Sequence, residues 1–148
     1  MSLEDWVKNT WLEKLESSPE EIKGQFSIAD RCLDDYAKAG GLSADARLSI
    51  AHSAILASAA AALRAAGYRA RRGGSEHYYT ILALEFTVDP EKKVVYTLDA
   101  LRKKRNQSLY DVSGNVSDSE ATTLGKLAVQ LRGDVEKWIR ANHHELLK

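Results

Sequence analysis

The chain is poor in the residues that cross-link or interrupt a fold. Cys32 is the only cysteine in 148 residues, which excludes a disulfide framework and a thiolate metal cluster. Set among apolar positions, it reads as a small core residue. There are only two prolines, Pro19 and Pro90, and each falls where a helix is expected to begin. Net charge is missing too. Lys plus Arg equals Asp plus Glu at 21 each, so the global charge points to no partner. No run alternates apolar and polar residues at the period of a strand. No secretory leader is seen, since Glu4 and Asp5 come at once, and a reducing, cytoplasmic setting is expected. The alanine-rich run 50–66 contains His52 and Arg64. It reads as too short and too weakly apolar to span a bilayer, so no membrane association is expected.

Common catalytic signatures are likewise missing. There is no glycine-rich phosphate loop, no HExxH pair and no EF-hand loop. His143 and His144 are adjacent, so they project to different helix faces and make a poor metal pair. No metal and no cofactor is expected.

What the chain does have is helix signals. Ser18, Pro19 and Glu21 supply a cap, a first-turn proline and a capping-box acid. Ile22, Phe26, Ala29, Leu33 and Tyr36 then recur at helical spacing, and Gly40-Gly41 is expected to end the helix in a left-handed cap. Ser43 opens an alanine-rich helix ending near Ala66, slim enough to be approached on several sides. Within it His52 reads as a core histidine. Residues 68–74 form a basic, glycine-terminated loop, either a phosphate contact or a solvated connection. A shorter helix follows from Glu76, capped by Ser75. Asp89-Pro90 announces a fourth main helix. Ser117 and Glu120 form a capping box for the last, whose stripe is Leu124, Ala128, Leu131, Val135, Trp138 and Asn142. Leu3, Val7, Trp11 and Leu15 suggest one more helical face near the N-terminus. The expected fold is all-α: an antiparallel bundle of four to five main helices with a short N-terminal helix. Residues 1–17 form the N-terminal helical extension and residues 18–148 the single bundle domain.

Charge is uneven along this plan. Residues 1–39 carry nine acids against five bases, whereas residues 64–105 carry ten bases against five acids. The sharpest conflict lies in residues 99–111. Val94, Leu98, Leu101 and Arg105 fall on one helical stripe, with Arg105 within about 20° of Val94. Lys103 and Lys104 project toward water. A cation on an apolar stripe is costly to bury without a partner. Arg105 therefore either pairs with an acid such as Asp99, Asp111 or Asp134, or meets a ligand or a second subunit.

The order of parts adds a resemblance. The alanine-rich second helix, the Gly67-Tyr68-Arg69 turn, His77 at the start of the third helix and Arg105-Asn106-x-x-x-Tyr110 late in the fourth resemble the HEPN superfamily, from about residue 19 to 142. That resemblance implies a helical domain that dimerises through its motif-bearing helices. It implies an RNA or nucleotide ligand, and in many relatives metal-independent RNA cleavage. The family's arginine falls on Arg105 and its polar neighbour on Asn106. The family's histidine position holds Tyr110. Tyrosine, with a pKa near 10 against about 6.5 for histidine, is a far poorer general base near neutrality, though it can donate a hydrogen bond or stack on a base.

The expected site is thus Arg105 on phosphate, Asn106 orienting it and Tyr110 on sugar or base. Arg102 and Lys104 supply electrostatic attraction, and His77 is a further binding candidate. His77 or His52 replaces the missing histidine only if the fold brings one to Arg105. Arg105 and Tyr110 lie about 140° apart on an ideal helix. Sharing one site then requires a loosened helix or two protomers. The expected function is a HEPN-like homodimer that binds RNA or a nucleotide with weak or absent endoribonuclease activity; Arg105 and Tyr110 are the catalytic pair if it is active. The alternatives are a non-catalytic module that binds a protein partner in a two-component, toxin–antitoxin or defence-type system, and an active metal-independent RNase.

Overall fold

In the computed structural model, residues 1–110 and 114–148 are described, with the side chains of residues 108–110 left out. The chain forms α1 (Leu3–Lys8), β1 (Leu12–Lys14), α2 (Pro19–Ala37), α3 (Ala44–Ala65), β2 (Tyr68–Ala70), α4 (Glu76–Leu82), α5 (Lys92–Tyr110) and α6 (Asp118–Asn142). A 3-10 turn, Ala83–Phe86, extends α4, and another, His144–Leu147, follows α6. The expected all-α bundle is what the structure shows.

Small side chains explain why α3 is its axis. Leu48, Ala51, Ala54, Ile55, Ala61 and Ala62 are fully buried, and together they cover more than one face of the helix. Alanine lets neighbouring helices approach closely without loss of helix propensity. α2 and α6 flank α3 along its length, and α4 and α5 close a further side. Ile22 and Phe26 of α2, Leu98 and Leu101 of α5, and Leu124, Val135 and Ile139 of α6 complete the core. α3 is long and apolar enough by composition to cross a membrane, but its apolar surface is taken up by this packing.

Local chemistry sets several helix starts as expected. Ser18 Oγ accepts from the Glu21 N–H, Ser43 Oγ from Ala46, and Ser117 and Glu120 make a reciprocal capping box. Elsewhere the termini differ. Gly40 and Gly41 do not take the left-handed conformation; α2 ends at a Lys38 cap with φ −98°. Ser75 makes no side-chain cap bond. Asp89 does not cap a helix either. It sits at φ +54°, a conformation an Asp tolerates better than most residues, and its N–H donates to Leu84 O at 2.8 Å. α5 begins only at Lys92.

The N-terminal extension is the main correction. Its helix stops at Lys8, and Thr10 turns the chain at φ +65°. Asn9 and Thr10 are poor helix formers, so the Leu3-Val7-Trp11-Leu15 spacing is not propagated. Residues 12–14 instead pair antiparallel with β2, Leu12 opposite Ala70, Glu13 opposite Arg69 and Lys14 opposite Tyr68. Half of the expected basic loop is thus a strand, in which Arg69 is ion-paired to Glu13. Trp6 packs into a second small core with Leu12, Leu63 and Ala83.

Candidate functional site

α5 presents the conflict that the sequence announced. Leu98 and Leu101 are buried, and Arg105, one turn on, lies half-buried at the edge of the same stripe. Its Nε is fully enclosed and has no hydrogen-bond partner. Its Nη1 donates to Asn106 Oδ1 at a long 3.4 Å. Two of the three acids proposed to neutralise it are committed elsewhere. Asp99 holds Arg102 at 2.9 Å and Lys103 at 3.6 Å. Asp134 accepts from Gln130 at 3.0 Å. Asp111 lies outside the described residues.

Arg105 is unusual among the arginines. Arg47, Arg64, Arg69, Arg102, Arg132 and Arg140 each hold a carboxylate. Among the described residues, Arg31, Arg71, Arg72 and Arg105 hold none. A guanidinium with an enclosed, unpaired donor beside open solvent is poised for an anion, because its five N–H groups fit phosphate oxygens in pairs.

Arg105 lines an open groove of about 390 Å³ between α2, α3 and α4. Gln25 and Ile28 come from α2, Ser53, Leu56 and Ala60 from α3, and His77 and Thr80 from α4. His77 and Thr80 share a helix face at i and i+3, so the turn that starts α4 delivers the imidazole to the arginine. His52, from the buried side of α3, approaches His77 with 6.0 Å between ring centroids. Its Nε2 is enclosed and unpaired.

This cluster is short of negative charge, and the imidazoles record it. His52 is pushed down to about 3, first by burial, then by the Arg105 charge, with His77 and Arg102 adding to it. His77 is lowered by burial and then by Arg105 and Arg102, partly offset by its neighbour Glu76. Both are therefore neutral at pH 7, and each ring offers an unprotonated nitrogen as a hydrogen-bond acceptor.

The structure thus brings Arg105, Asn106 and His77 together and adds His52, which reads from sequence only as core. Arg102 is close, but its Nε is held by Asp99 and its guanidinium lies over the Tyr78 ring at 5.3 Å. Lys104, expected to project toward water, turns to α6 instead, pairing with Glu120 at 2.6 Å and reaching Asn115 O at 3.4 Å, so it fastens α5 to α6. α5 stays α-helical through Tyr110, which removes the loosened helix as a way to join Tyr110 to Arg105. The Tyr110 side chain lies outside the described residues. No group of three or more His, Cys, Asp or Glu side chains capable of holding a metal ion occurs among the described residues. Comparison with protein-family models, with curated proteins and with solved structures gives no match.

Proposed function

We propose that the chain is an RNA- or nucleotide-binding module of HEPN-like plan, acting as a homodimer, in which Arg105 takes a phosphate. The observation that carries the reading is Arg105, its Nε enclosed and unpaired, lining a groove that holds the neutral His77 and no acid, with neutral His52 buried behind His77. Asn106, already an acceptor for Arg105, orients the guanidinium. His77 contacts the sugar or a phosphate oxygen. The dimer is part of the same reading: Ile28 is 40% exposed beside half-buried Leu56 on the groove's apolar side, a surface that a second copy can cover while leaving Arg105 to the ligand.

His77 also favours a second reading, metal-independent RNA cleavage. A neutral imidazole beside an arginine can take the proton of a ribose 2′-hydroxyl while the arginine stabilises charge on phosphate. In that reading His77 does what Tyr110, at the family's histidine position, does poorly.

Fluorescence anisotropy with a labelled single-stranded RNA at low salt tests the first reading. Arg105→Ala is expected to weaken binding at least tenfold with an unchanged circular dichroism spectrum. Equal affinity in that variant overturns it. Absence of any RNA affinity, together with a stable co-purified protein, favours the interaction-module alternative. Incubation of the same RNA in a chelator tests the second reading: cleavage should disappear in both Arg105→Ala and His77→Gln. Acid–base catalysis typically contributes about 10²–10⁴-fold, so a partial loss is measurable.

A further inference from the structure

At the far side of α4 from the groove, the N-terminal turn and the end of β2 build a second concave surface. Trp11 lies over Tyr79 with rings 5.2 Å apart and within 13° of parallel. Trp6, the buried hub of this cluster, holds Trp11 edge-on at 5.5 Å and Tyr79 at 5.7 Å. Trp11 and Tyr79 are nevertheless only half-buried. They line an open cavity of about 480 Å³ with Thr10, Arg71, Arg72 and Ser75.

The backbone fixes this arrangement. The β1–β2 ladder continues one pair further, with Arg71 N–H donating to Trp11 O at 3.0 Å. That bond sets the first cation of the Arg71-Arg72 pair beside the indole. Thr10, a β-branched residue at φ +65°, holds a conformation that such residues rarely adopt; the turn it makes puts Trp11 on the cavity wall. Arg71 and Arg72 are exposed, have no carboxylate partner among the described residues, and lie over no aromatic ring there. Arg69, two residues earlier, is paired. The unpaired cations are thus the ones that border the aromatic surface.

We propose that Trp11, Tyr79, Arg71 and Arg72 form a binding site for one nucleotide of a single-stranded nucleic acid, with the base against the aromatic surface and the phosphate on the two guanidiniums. The chemistry matches on both counts. An aromatic face stacks any base, because every base has a π-face, so such a surface tolerates any sequence. Paired guanidiniums bind phosphate through several donors at once. A bare anion uses only the arginines, and an apolar peptide only the rings. The site rests on its own geometry and does not require the Arg105 groove to bind anything.

The test is a titration of the whole chain with the RNA hexamer of adenylate, followed by the indole N–H signals of Trp6, Trp11 and Trp138 in ¹H–¹⁵N spectra. The Trp11 signal, assigned with Trp11→Phe, is expected to shift most. Arg71→Ala with Arg72→Ala should weaken the hexamer at least tenfold. Both side chains are exposed and unpaired, so the fold should be retained, as circular dichroism will verify. Arg105→Ala should leave the Trp11 shift in place. Loss of the response around His77 in that variant supports the groove, whereas loss of the Trp11 shift in it overturns the separate site. An equal Trp11 shift with inorganic phosphate at the same concentration overturns the proposal, since base recognition is then absent. So does unchanged hexamer affinity in the double variant, or a shift confined to residues around His77.

Discussion

His52 shows how one buried side chain can make stability depend on pH. It is 1% exposed, and its Nε2 has no partner. Its pKa is pushed down to about 3 in the folded chain, against about 6.5 when unfolded. Above pH 6.5 both states leave the ring neutral and it contributes nothing to pH dependence. Below 6.5 the unfolded chain takes a proton that the folded chain refuses, so stability falls as pH falls, by about 1.4 kcal/mol per pH unit until about pH 3. His77, also lowered, acts in the same direction. The lowered carboxyls of Glu4, Glu76 and Glu120 start from 4.5, so they act only in more acid solution. Between pH 7.5 and 5 the urea midpoint is therefore expected to fall, by the equivalent of about 2 kcal/mol from His52. His52→Leu should remove most of that fall. If the wild-type midpoint is flat over this range, the buried neutral imidazole is wrong. Neither histidine's neighbourhood is visible in the sequence, because it arises from contacts between α3, α4 and α5. The alanines around His52 signal burial and nothing of Arg105.

At the scale of elements, Arg64 does what no cap could. It is buried at the end of α3, where its guanidinium binds Glu21 at 2.9 Å and donates to the carbonyls of Leu15, Glu16 and Tyr68 at 2.7–3.1 Å. One side chain thus joins α3 to the start of α2, the segment after β1 and the first residue of β2. Hydrogen bonds from a charged donor contribute more than neutral ones, and carbonyls stripped of such a donor are left unsatisfied. Arg64→Ala is expected to cost about 3 kcal/mol, read as a lower urea midpoint. Arg140→Ala, which loses one exposed pair, should move it by less than about 1 kcal/mol. The contrast between Arg64 and the serine caps explains what could be read in advance. Ser18, Ser43 and Ser117 each bond three residues ahead, so their roles are written in short stretches of sequence. The β1–β2 ladder joins Glu13 to Arg69, 56 residues apart. Its strands have three residues each, too short to show a period-2 pattern. Asp89-Pro90 failed for another reason: the 3-10 turn at Ala83–Phe86 feeds its end directly into Asp89, and this tertiary closure overrides the local cap signal.

Over the whole molecule, charge neutrality hides a pattern that the pairing of arginines reveals. With equal numbers of acids and bases, six of the ten arginines are matched by a nearby carboxylate. Those left unmatched include Arg105 at the groove and Arg71 and Arg72 at the aromatic surface, on either side of α4. Arg105 was legible in sequence because an amphipathic period exposes a misplaced charge. The pairing of Lys104 with Glu120 was not, since it needs the packing of α5 on α6. The same pattern predicts how binding responds to salt. A uniformly basic protein gives a steep dependence from many diffuse contacts, whereas here three unpaired arginines lie at the two candidate sites. For single strands the slope of log K against log salt is about −0.7 per phosphate neutralised. Three free arginines then correspond to a slope of about −2. Removing Arg105 should flatten it by about 0.7, and removing Arg71 and Arg72 together by about 1.4. Anisotropy titrations from low to moderate salt measure these slopes directly. A wild-type slope much steeper than about −2, unchanged by any of the three substitutions, would mean that other surface cations carry the binding and that these three arginines are not its site.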